Sequence, residues 1–124
     1  MDDIFYLQRA LHSFNTSTPN WYAWKKNYTG DERMSYENVI VIKEGAILPS
    51  ESEVNAKIVL LKLEYAFLEL RTKRDNLLKE TDYLALSDNT LSEAMSTYRQ
   101  ALRDITNGIT TVEQANSVTW PTKP

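Results

Sequence analysis

The clearest order in the chain is the spacing of apolar positions beyond residue 50. Val54, Ile58, Leu61, Tyr65 and Leu68 recur at alternating steps of four and three. So do Ala56, Leu60, Leu63, Phe67 and Leu70, with Leu77 following after a break at Arg74. Each series lines one face of an α-helix. Ser50-Glu51-Ser52-Glu53 supplies the start, because the Ser50 hydroxyl can accept from the Glu53 amide while the Glu53 carboxylate reaches back. The pattern predicts a helix from residue 51 to about residues 79–82, roughly 43 Å long if it ends at Lys79. A turn is expected near residues 86–89. Thr90-Leu91-Ser92-Glu93 reads as a second capping box, followed by the stripe Leu91, Ala94, Met95, Tyr98, Leu102 and Ile105. This second helix should run to about residue 106 and stop at Asn107-Gly108, where glycine tolerates the left-handed turn. It should fold back antiparallel on residues 67–78 as an αα-hairpin. Residues 112–124 hold Val118, Trp120 and two prolines and read as a tail without regular helix.

Upstream the pattern is weaker. Ile4, Leu7, Leu11 and Phe14 predict a short amphipathic helix over residues 3–14, and residues 15–20 read as a loop. An aromatic cluster follows at Trp21, Tyr22, Trp24 and Tyr28, then a polar break at Thr29-Gly30-Asp31-Glu32. Residues 38–45 are β-branched up to a glycine and read as a strand of about five residues. A lone strand needs a partner, either within residues 16–30 or on another chain. The expected fold class is mainly α, a long helix plus a shorter antiparallel one. A small β-containing or irregular segment over 1–49 precedes the hairpin module at 50–124.

Two apolar faces on one long helix raise a question of cover. The second helix is about half as long and reaches only part of one face. Val54, Ile58, Leu61, Tyr65 and Leu68 are therefore candidate partner-binding residues, together with Trp21 and Trp24. The competing cover is the N-terminal segment itself, through Phe14, Trp21 and Trp24.

Composition narrows the function classes. The chain has 124 residues, enough for one modest core, and its net charge of −3 argues against a nucleic-acid partner. Trp21, Tyr22 and Trp24 beside Lys25-Lys26 could stack on bases, but aromatics at this density more often serve as core or interface anchors. There is no cysteine, and His12 is the single histidine, beside an apolar stripe with no evident carboxylate partner. No phosphate-binding glycine loop, nucleophile elbow or metal-spaced cluster occurs, so no catalysis, cofactor, metal or small-molecule substrate is expected. The acidic pairs Asp2-Asp3 and Asp31-Glu32 read as solvated charge, and the sequons at Asn15 and Asn27 lack a secretory context. The most apolar stretch, residues 58–70, is short and interrupted by Lys62, Glu64 and Glu69, so no membrane span is expected.

From residue 71 onward the chain resembles the bacteriophage tail-assembly-chaperone-like domain. The resemblance rests on Arg71-Thr72-Lys73-Arg74-Asp75-Asn76-Leu77-Leu78, on Glu80-Thr81-Asp82-Tyr83, on Tyr98-Arg99-Gln100-Ala101-Leu102-Arg103-Asp104-Ile105 and on Val118-Thr119-Trp120-Pro121. Members usually carry tryptophan where Tyr83 stands. The resemblance implies a helical hairpin closed by a Trp-Pro tail, in which Leu77, Leu78, Tyr83, Tyr98, Leu102, Trp120 and Pro121 are structural. Tyr83 and Trp120 are large anchors that could close the open end of the hairpin, and Arg74 and Arg99 are placed to pair with Asp82, Asp75 or Asp104 across it. The function expected first is a structural component of a tailed-phage virion, assembled in the host cytoplasm. It would dock to tail, baseplate or fibre proteins, or to a second copy. The alternatives are a non-virion tail or fibre assembly chaperone and, resting on Trp21 to Lys26 alone, a nucleic-acid-binding accessory protein.

Overall fold

Ile4, Leu7, Ala10 and Leu11 fall on one face of a helix, and in the computed structural model they form α1 (Asp3–His12) with Leu7, Ala10 and Leu11 buried. The structure describes residues 3–25, 34–86 and 88–124. Lys26, the sequon at Asn27, Tyr28, the expected break at residues 29–32 and Asp2 of the first acidic pair lie outside them. The described elements continue with β1 (Tyr22–Trp24), β2 (Val39–Val41), α2 (Glu51–Lys79), α3 (Glu93–Arg103) and α4 (Val112–Asn116). The molecule is mainly α, with one small sheet near its N-terminus. It divides into two compact units, Met1–Lys62 and Leu63–Pro124, and the division falls inside α2.

In the first unit, α1 ends where Asn15 takes a left-handed conformation, φ +50°, which asparagine tolerates better than most residues. The Asn15 side chain then holds the backbone of Ile47 from both sides. Its Nδ2 donates to the Ile47 carbonyl at 2.8 Å and its Oδ1 accepts from the Ile47 amide at 3.0 Å. The predicted strand finds its partner within the chain: β1 and β2 pair antiparallel, with Tyr22 opposite Val41, Ala23 opposite Ile40 and Trp24 opposite Val39. Trp21, at the entry to β1, is 1% exposed and donates its Nε1–H to the Leu11 carbonyl at 3.1 Å. Around Leu7, Ala10, Leu11, Trp21 and Val39 the core closes on Val54 at the start of α2. The α2 capping box forms as predicted, Glu53 N to Ser50 Oγ at 3.1 Å and Ser50 N to Glu53 Oε1 at 3.3 Å.

In the second unit two apolar clusters share one residue. Ala66 and Leu70 of α2 pack with Ala115 of α4, flanked by Ile109, Val112, Val118 and Trp120. Met95, Tyr98 and Leu102 of α3 pack with Leu77, Leu78, Leu84, Leu91 and again Trp120. Three local expectations are corrected. The cap of α3 is Ser92, whose Oγ accepts from the Met95 amide at 3.1 Å, and not Thr90. Capping two residues later leaves Leu91 outside the helix and free to join the α3 cluster. α3 also ends at Arg103, short of residue 106, and Gly108 is left-handed (φ +77°) beyond a run of turns. Finally, the tail is not wholly irregular. Thr111 and Gln114 form a reciprocal capping box that opens α4.

Candidate interaction surfaces

The residues expected to meet a partner divide sharply. Val54 and Trp21 are core residues of the first unit and have no surface to offer. Ile58, Leu61 and Trp24 are half-buried against that same core. The N-terminal segment thus covers the start of the face that was expected to stay open. The physical reason is that Trp21, pinned by its indole hydrogen bond to Leu11, belongs to the same buried core as Val54. Tyr65 is half-buried, and Leu68 is exposed. Among the described residues, Leu68 is the one member of the expected set that stands among the exposed large apolar side chains. The others in the first unit are Val59 and Leu60 on α2, Ile40 and Val41 on β2, and Ile42, Ile47 and Leu48 beyond it. In the second, Tyr83 and Leu86 join Leu68.

Tyr22 lies between Trp21 and Trp24, with ring centroids 5.1 and 5.7 Å away, and its hydroxyl is 3.3 Å from His12 Nε2. Partial burial raises the Tyr22 phenol above its ordinary pKa. With Trp21 in the core, the cluster does not present two open tryptophan faces on which bases could stack.

Most residues named for the hairpin module sit at its centre. Tyr98 and Leu102 are buried, and Leu77 and Leu78 pack against them. Trp120 is half-buried in both clusters, with Lys73 Nζ 4.4 Å from its ring centroid, and Pro121 beside it is half-buried too. Tyr83 is the exception. It was expected to close the open end of the hairpin, yet it is 60% exposed. The 3-10 turn Asp82–Ala85 turns Leu84 inward to the α3 cluster and Tyr83 outward.

That end is closed by polar chemistry. Arg99 of α3 donates to the Leu78 carbonyl at 3.0 Å, to Thr81 Oγ1 at 2.7 Å and to Asp82 Oδ1 at 3.0 Å. The Leu78 carbonyl, one of the orphan acceptors at the end of α2, also receives the Thr81 amide at 3.1 Å and the Thr81 hydroxyl at 3.3 Å. A cation at a helix C-terminus is favoured twice over, by the carbonyl partial charges and by the hydrogen bonds. The expected Arg99–Asp82 pair across the hairpin is therefore present, whereas Arg74 pairs at 3.0 Å with Asp75, its neighbour on α2, and does not reach across. Asp104 instead accepts from Gln100 within its own helix at 3.1 Å. Thr81, fully buried, is the residue that the sequence analysis missed, since an isolated threonine after a helix carries no distinguishing local signal.

Among the described residues no helix is long and apolar enough to cross a membrane. No curated protein and no solved structure matches the chain. The segment holding the end of α2, the Arg99 clamp, α3, α4 and Trp120 does find a counterpart: residues 68–124 are similar to the family model of the phage tail assembly chaperone protein.

Proposed function

We propose that the protein is a phage tail assembly chaperone. It binds tail or tail-fibre subunits while they are being put together in the host cytoplasm, and it acts by binding and not by catalysis. The observation that carries this reading is the family match over residues 68–124. That match favours an assembly factor over the virion structural component expected first from the sequence. The exposed apolar side chains support a binding role, because clustered apolar surface is the usual mark of a protein-binding site.

The test is co-expression of the tail proteins encoded beside this chain, with and without it, followed by mass spectrometry of purified particles. An assembly chaperone should keep a tail subunit soluble that aggregates alone, and should be absent from mature particles or far below the copy number of the tail proteins. Stoichiometric presence in particles would replace this reading with that of a structural component docked to tail, baseplate or fibre proteins.

A further inference from the structure

We infer that the turn between α2 and α3 is a docking tip, and that it takes a protein segment with an apolar side chain flanked by lysine or arginine. The inference rests on the chaperone reading for its biological setting but on separate observations for its chemistry. Turns are usually polar, yet Tyr83 and Leu86 here stand 60% and 61% exposed within one stretch of turn, while Leu84 between them packs inward. Neither large side chain contributes to the clusters that hold the second unit together.

Their own backbone groups are hydrogen-bonded. The Leu86 amide donates to the Tyr83 carbonyl at 3.4 Å, Asn89 Nδ2 donates to that same carbonyl at 2.9 Å, and the Asn89 amide donates to the Leu86 carbonyl at 3.0 Å. Arg99 fixes the start of the turn through Asp82 and Thr81. Backbone that is already hydrogen-bonded loses less entropy on binding, which is one way a small patch gains affinity.

Charge selects the occupant. Glu80, Asp82, Asp88 and Glu93 flank the apolar pair in sequence, against Lys79 in sequence and Arg99, which reaches Asp82 from α3. Asp82 is engaged by Arg99, whereas Glu80 and Asp88 are exposed and outside every salt bridge among the described residues. An apolar pair with unpaired carboxylates close on either side in sequence attracts a basic amphipathic segment and repels an acidic one.

The probe is an array of overlapping peptides covering the tail proteins encoded beside this chain, read with the full-length protein. The expected result is that bound peptides carry an apolar residue flanked by Lys or Arg. Binding should fall about tenfold or more in Tyr83→Ser/Leu86→Ser, as for a binding hot spot, and fall again in Glu80→Lys/Asp88→Lys. Both variants should melt like the parent, since they alter exposed side chains only. Acidic or uncharged peptides bound in preference, equal binding by the variants, or no peptide bound would each overturn the tip. The subunit-solubility assay keeps the two ideas apart: a chaperone whose activity survives both variants sinks the tip alone, and a chain that binds basic peptides through the tip but protects no subunit sinks the chaperone reading alone.

Discussion

Trp120 and Tyr83 were expected to close the same end of the hairpin, and the structure gives them opposite positions. Trp120 belongs to both apolar clusters of the second unit and lies under Lys73, while Tyr83 points into solvent. Trp120→Ala should therefore cost about 2–4 kcal/mol, somewhat below the loss for a fully buried tryptophan, whereas Tyr83→Ala should stay within about 0.5 kcal/mol. Denaturant melts of the two variants give the comparison, and equal losses would refute the placement of Trp120. Thr81 offers a second residue-scale test. Thr81→Val keeps the shape but removes the hydroxyl that donates to Leu78 and accepts from Arg99. A loss of about 1–2 kcal/mol is expected, as for a buried donor left short of a partner. If the Thr81→Val midpoint does not move, the Arg99 clamp contributes no stability.

At the scale of elements, caps explain most of what happens. Ser50, Ser92 and Thr111 each accept from an amide in the first turn of their helix. Ser92→Ala should cost about 1 kcal/mol and Thr90→Ala almost nothing, which urea titration followed by circular dichroism can resolve. The reverse order would restore the earlier start of α3. Thr90 and Ser92 are both good cap residues, so the sequence offers two starts, and packing of Leu91 on the α3 cluster selects the later one. α4 was legible but passed over. Thr111-Val112-Glu113-Gln114 is a capping box in its own right, and the prolines at 121 and 124 lie beyond the helix they seemed to forbid. A strand of about five residues within 38–45 was expected from its β-branched run and forms over Val39–Val41 only, while its pairing with the short strand Tyr22–Trp24 was left open between this chain and another.

For the molecule as a whole, the informative comparison is between two leucines on one predicted face. Leu61 is half-buried against the core of the first unit, and Leu68 is 56% exposed. Leu61→Glu should destabilise the protein by about 2–3 kcal/mol because a carboxylate would meet an apolar core, and Leu68→Glu should leave the melting temperature nearly unchanged. Equal effects would show that the face is covered, or open, along its whole length. The sequence by itself determined the helices that carry strong spacing and caps, the turn before α3, and the likeness of the C-terminal half to a phage tail module. Those signals are local: a capping box spans four residues and an apolar stripe a few turns, so neither depends on distant chain. Tertiary structure alone decided that Trp21 and Val54 share one core, that Arg99 and Thr81 seal the end of α2, and that Tyr83 faces water. Each of those outcomes depends on segments brought together from far apart in sequence, or on which of two neighbouring side chains a turn sends inward, and local pattern carries no record of either.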